Sequence, residues 1–141
     1  MLEPKPLFVE RIKKQLRDSE DYEEFMQVVR KKPVSSIRCN TLKISPEKLK
    51  ERLEKKGWKI SQPFSEYKEI MIVEKESNLM PGELGKSIEH ILGYYYVQEI
   101  SSMMPVIALN PQPGEIILDL CASPGSKTTQ ASSMMKNSGT I

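Results

Sequence analysis

The sequence predicts an α/β chain in two parts. Helices and a small α+β module come first, and the opening strand, loop and helix of a larger α/β sheet domain follow. Three observations predict this. Residues 6–31 place apolar side chains at helical spacing. Residues 36–73 alternate, or run in apolar blocks, around one well-capped helix. Ile116 to Gln130 reads I-I-L-D-L-C-A-S-P-G-S-K-T-T-Q, an apolar run that stops at an acid, turns through small residues and enters helix-compatible sequence. The boundary is drawn before Gly93, with one domain over residues 1–92 and a linker plus the start of a second over residues 93–141.

From Pro6 to Arg17, Leu7, Phe8, Ile12 and Leu16 fall on one helix face. Asp18 or Ser19 caps a second helix over Glu20 to Lys31, with acids in its first turn and Arg30, Lys31 and Lys32 at its end, as the helix dipole favours. Its expected buried stripe is Tyr22, Phe25, Met26, Val28 and Val29, and Pro33 ends it. In Ser36 to Thr41, alternation sets Ile37, Cys39 and Thr41 on one strand face and Ser36, Arg38 and Asn40 on the other. An Arg beside an Asn suits either a phosphate or base-edge contact or an ordinary solvated edge.

Ser45-Pro46 starts a helix and Gly57 stops it, with Leu49 and Leu53 inward and Lys48, Lys50, Arg52, Lys55 and Lys56 outward. Residues 58–60 and 70–73 read as strands, the second covered on both sides. Strand, helix, strand, strand resembles half of an RRM-like sandwich without its aromatic RNA-stacking signature. Pro81-Gly82 marks a turn, and Ser87 caps a helical turn closed by Gly93. Tyr94 to Glu99 is a further strand, and a helix carrying Ile100, Met103, Met104 and Ile107 is placed from about Ser102, so that Pro105 falls in its first turn.

Net charge is +2, but residues 1–60 hold sixteen Lys or Arg against ten acids and residues 61–141 hold five against nine. A basic front fits either a polyanion such as RNA or a solvated helical surface. No apolar run approaches a membrane span, and no signal-peptide block is present. Cys39 and Cys121 make neither a disulfide framework nor a metal-ligand spacing, and His90 stands alone as a structural residue. The expectation is a cytoplasmic monomer without metal or membrane partner.

Three readings compete for Asp119 to Lys127. A P-loop needs G-x-x-x-x-G-K-[ST], whereas Cys121 and Ser126 stand at its glycine positions. A dinucleotide fingerprint needs three glycines, and only Gly125 is one. The third reading is a nucleoside cofactor without a pyrophosphate, which S-adenosylmethionine satisfies.

Residues 119–130, D-L-C-A-S-P-G-S-K-T-T-Q, resemble motif I of the Nop/Sun family of RNA (cytosine-5) methyltransferases. S-I-R-C-N-T-L-K at 36–43 resembles the family's N-terminal signature, and G-Y-Y-Y-V-Q-E-I-S-S-M at 93–103 its joining segment. The likeness is greatest to archaeal tRNA-type members. It implies a class I Rossmann-like methyltransferase domain that starts within residues 93–141, after a linker, and uses S-adenosylmethionine, with Cys121, Ala122, Ser123, Pro124, Gly125, Ser126 and Lys127 lining the cofactor. Lys127 also takes a supporting role toward the target base. Arg38, Asn40 and Lys43 are the expected RNA contacts, and tRNA the expected substrate.

In such a family a cysteine thiolate adds to carbon 6 of cytosine and so activates carbon 5. The nucleophilic and releasing cysteines lie in downstream motifs that Cys39 and Cys121 do not match. These 141 residues are therefore expected to be the N-terminal part of the enzyme, inactive alone and binding the cofactor weakly or not at all. The alternative is a stand-alone RNA-binding module.

Overall fold

Strand β1 (Ser35–Cys39) is an inner strand of the one sheet among the described residues, whose order is β2-β3-β1-β4. It pairs antiparallel with β3 (Ile70–Val73), setting Ile37 opposite Met71, and with β4 (Tyr95–Val97), setting Arg38 opposite Tyr96. The short β2 (Ile60–Ser61) extends the sheet on the far side of β3. The structure is a computed structural model that describes residues 4–31, 34–74, 79–80 and 82–141. Lys32, Pro33 and Pro81, for which the sequence predicts a helix end and a turn, lie outside the described residues.

Residues 34–141 form one compact unit and residues 1–33 another. The first unit holds α1 (Pro6–Gln15) and α2 (Ser19–Arg30), with Pro6 at the start of α1. Asp18 caps α2 by accepting from the amides of Glu20 and Asp21, and Arg17 grips Asp21 through two nitrogens at 2.7 and 2.9 Å. The expected buried stripe is not formed: of α2 only Met26 is buried, and Val28 and Val29 are exposed. Two short helices offer each other too little surface to cover a five-residue stripe.

In the second unit, Ser45 caps α3 (Pro46–Glu54), and Gly57 turns the chain away at a φ of +85°. Leu49 and Leu53 of α3 join Ile37, Cys39, Trp58, Ile60, Met71, Val73 and Tyr95 in the main core. This is the period-two and period-3.6 burial that the alternation predicts. Glu89, on α5 (Ile88–Ile91), is buried at its edge and paired with Lys56 and, at 3.3 Å, with Arg52. The Tyr95 hydroxyl donates to the Leu84 carbonyl of α4 (Glu83–Lys86) at 2.6 Å and meets Ser87 Oγ at 2.7 Å.

Helix α6 runs Ile100–Leu109, two residues earlier than predicted, with Pro105 well inside it. The carbonyl that Pro105 leaves without its intrahelical amide partner belongs to Ser101, and both residues are exposed, so the helix can carry the proline without burying that carbonyl. Helix α7 (Ser126–Met134) packs on α6, and Met103 and Val106 of α6, Ala131 of α7 and Met135 at its C-cap are buried. The predicted strand at 116–120 forms only one bridge, a parallel one between Ile116 and Thr140. Gly139 lies against it, where a Cβ would strike the Glu115 carbonyl.

Candidate cofactor loop and its support

The turn between residue 119 and α7 is shaped by one carboxylate. Asp119 accepts the Thr128 hydroxyl at 2.6 Å with one oxygen and the Cys121 amide at 2.9 Å with the other. These bonds, the Thr128 one foremost, hold the Asp119 carboxyl below the usual range. Gly125, at a φ of +103°, caps α7 without a side-chain bond. The first-turn amides of a helix have no partner within it, so this end offers donors and the positive end of a dipole. Cys121 to Pro124 are exposed beside it.

Lys127 is half-buried and donates to the Ser102 hydroxyl of α6 at 3.3 Å. A recess of about 310 Å³ adjoins the loop, with Asp119, Cys121, Lys127 and Thr128 on one wall and Pro105, Val106 and Leu109 on another. The seven residues from Cys121 to Lys127 are thus brought together on one turn, which their order in sequence already required. The side-chain environment of Lys127 is new.

The three residues expected to meet RNA all turn inward or bond backbone. Arg38 is only 3% exposed; it donates to the Ser126 carbonyl at 3.2 Å and to Thr129 Oγ1 at 2.9 Å, with the Tyr96 ring 5.8 Å away. Burial pushes its guanidinium down to about 10, so it remains charged at neutral pH. At Arg38, read from the sequence as an RNA contact, the polar face of β1 is covered by the chain that carries the loop. Asn40 donates to the Gly93 carbonyl at 3.0 Å and accepts the Leu42 amide at 3.2 Å, which occupies both ends of its amide. Lys43 donates to the Leu92 carbonyl at 2.8 Å but is otherwise exposed.

Sequence reasoning missed the residues that complete this inner face. Ser36 donates to the Gln98 carbonyl at 2.6 Å. Gln98 donates to Ser102 O and to Gln130 Oε1, both at 3.3 Å, and Gln130 donates to Met103 O at 3.0 Å. Ser36, Arg38, Gln98 and Gln130 are all buried and form a polar seam between the sheet and the α6–α7 pair. The sequence signal was slight, since Gln130 lies in a largely polar helix and Gln98 ends a tyrosine run, and neither reveals burial.

Cys39 lies in the core, where burial pushes its thiol up to about 12, whereas Cys121 is exposed on the loop. His90 rests against the Tyr95 ring at 5.5 Å. Among the described residues, no group of three His, Cys, Asp or Glu side chains converges to hold a metal, and no helix is long and apolar enough to cross a membrane.

Comparison with known proteins gives the class first. Over 96% of this chain and 42% of the other, the fold matches a methyltransferase homolog from Pyrococcus horikoshii, with 35% identity and a TM-score of 0.76. It also matches NSun6 from Pyrococcus horikoshii with SFG at a TM-score of 0.78 and 22% identity, over 96% and 57% of the two chains, a likeness of fold alone.

Residues 5–100 match the family model described as the N-terminal domain of 16S rRNA methyltransferase RsmF, and residues 106–141 match that of 16S rRNA methyltransferase RsmB/F. The chain belongs to this RsmF family of RNA methyltransferases. It is 43% identical over 95% of its length to ribosomal RNA small subunit methyltransferase F of Vibrio campbellii, and 37% identical over 100% to that of Shewanella oneidensis. It spans 28% and 29% of those two relatives.

Proposed function

We propose that these residues serve an S-adenosylmethionine-dependent RNA (cytosine-5) methyltransferase, with residues 1–92 as its RNA-facing module and residues 93–141 as the start of its cofactor domain. The observation that carries this is the Asp119–Lys127 turn. Its exposed small residues run into an uncapped helix N-terminus that suits the carboxylate end of that cofactor. A fold neighbour with SFG, an analogue of the same cofactor, supports it.

Two structural details extend the reading. The order β2-β3-β1-β4, with β1 and β3 antiparallel, supports an RRM-like module. The parallel pairing of Ile116 with Thr140 on either side of α7 has the connectivity of a strand-helix-strand crossover, which supports a Rossmann-like start.

The bound cofactor would supply the methyl group. Cys121 to Lys127 would hold it through backbone donors, and Lys127, kept in place by Ser102, would face the target base. The cysteine that adds to carbon 6 is neither Cys39, a buried protonated thiol, nor Cys121, a loop residue. The substrate we favour is small-subunit ribosomal RNA, because the relatives carry that name, with tRNA as the competing substrate. Of the expected contacts Lys43 remains exposed, and Lys48 of α3 is an exposed cation that could join it on phosphate. We place the enzyme in the cytoplasm as a monomer.

The test replaces the matching 28% of the Vibrio campbellii relative with residues 1–141 and follows transfer of labelled methyl to 16S rRNA and to tRNA transcripts. Methylation of the ribosomal RNA is expected, and none by residues 1–141 alone. A folded chimera that transfers no methyl group overturns the reading, and transfer to tRNA only would restore tRNA as the substrate.

A further inference from the structure

We infer that Arg38 is a positioning residue for the cofactor loop, acting from the central strand of the sheet on the first turn of α7. This rests on the cofactor reading above and assigns the sheet face a task within it.

A buried guanidinium is costly to fold, and among the described residues no carboxylate pairs with Arg38. Among the described residues its buried Nε–H has no hydrogen-bond partner. It also sits at a helix N-terminus, the end where a cation is disfavoured. An apolar side chain of similar volume would fill the space without these costs. What it could not provide are two directed bonds, to Ser126 O and Thr129 Oγ1.

Thr129 passes the restraint on: while accepting from Arg38, its hydroxyl donates to the Gly125 carbonyl at 2.7 Å. Gly125 is the cap residue of α7, so a chain of bonds runs from β1 to the loop itself. Thr128 is held by Asp119 from the loop side, and Lys127 by Ser102 from α6. The first turn of α7 is thus fixed from three directions. Arg38 is the one anchor that comes from the sheet, 88 residues before Ser126. Loosening it shifts the backbone donors that face the cofactor while leaving the main core untouched, because Arg38 projects from the opposite face of β1 to Ile37 and Cys39.

Arg38→Met, Arg38→Lys and Thr129→Val are compared in two assays. In amide spectra of residues 1–141, Arg38→Met and Thr129→Val are expected to shift or broaden the signals of residues 119–130 while those of α3 and β3 stay in place. Arg38→Lys is expected to restore part of the change. In the chimera, Arg38→Met is expected to raise KM for S-adenosylmethionine at least five-fold, with KM for RNA unchanged. Unmoved signals over 119–130, or an RNA KM that rises as much as the cofactor KM, overturn the inference. Thr129→Val leaves the sheet intact, so it decides the matter if Arg38→Met fails to fold. A wild-type chimera without activity sinks the cofactor reading alone, because the spectra still decide whether Arg38 orders the loop.

Discussion

The sheet module at residues 34–98 and the segment at 115–141 treat the same kinds of residue in opposite ways. In the module, Ile37, Leu49, Leu53, Ile70 and Met71 are fully removed from solvent. In the segment, Ile116, Leu118 and Leu120 are 85%, 81% and 84% exposed. Both regions carry apolar, strand-favouring sequence, so apolar sequence alone does not bury a strand. A strand also needs neighbours on its faces and edges, and residues 116–120 have one bridging residue where β1 has two full partners. What ties the segment to the module is the buried polar seam of Ser36, Arg38, Gln98 and Gln130, alongside the α6–α7 contact.

The contrast can be broken most sharply by a pair of truncations. Leu53→Ala removes a fully buried side chain and is expected to cost about 3 kcal/mol in urea unfolding, whereas Leu118→Ala should change stability by less than about 0.5 kcal/mol. Equal costs would mean that the segment is covered after all.

Next in size is Glu89→Gln. It takes the charge from a buried carboxylate held by Lys56 and Arg52 and is expected to cost about 2 kcal/mol. An unchanged unfolding midpoint would reduce that cluster to surface pairing.

Acid should act on both regions. Burial pushes the Glu89 carboxyl up, but the bonds from Lys56 and Arg52 outweigh it, and the net position is below the usual range, as it is for Asp119. A depressed carboxyl contributes stability that is complete above its unfolded pKa and lost as pH falls through the folded one. Stability and loop order should therefore hold from pH ~7 to ~5 and decline below about pH 4. Loss that began near pH 6 would contradict this assignment.

The smallest perturbation is chemical. A thiol reagent is expected to label Cys121 readily and to reach Cys39 only on unfolding, since one is exposed and the other sits in the core. Equal labelling rates in the native protein would place Cys39 at the surface.

Much of the module was legible because local chemistry and tertiary packing agree there. The capping hydroxyl of Ser45 with Pro46, the Gly57 stop and the unbroken Ile70–Val73 run all describe features set within a few residues, as does the Asp18 cap in the first unit. The loop was legible for the same reason, since its residues are contiguous. Arg38 was not, because alternation assigns a polar side chain to solvent, and the cover over that face comes from a helix 88 residues later. The start of α6 was misplaced because Pro105 is tolerated only where Ser101 can reach water, which sequence does not show. The α2 stripe was overcounted, since periodicity reveals an apolar face but not whether anything covers it.

The most direct measurement is native-state hydrogen exchange over residues 34–141. If the seam joins the segment to the module, the amides of Gln130 and Ala131 on α7 will be protected to within about ten-fold of Leu49 on α3, while those of Leu118 and Leu120 exchange freely. Exchange at Gln130 and Ala131 as fast as at Leu118 would show that the loop-bearing helix is not held by the sheet.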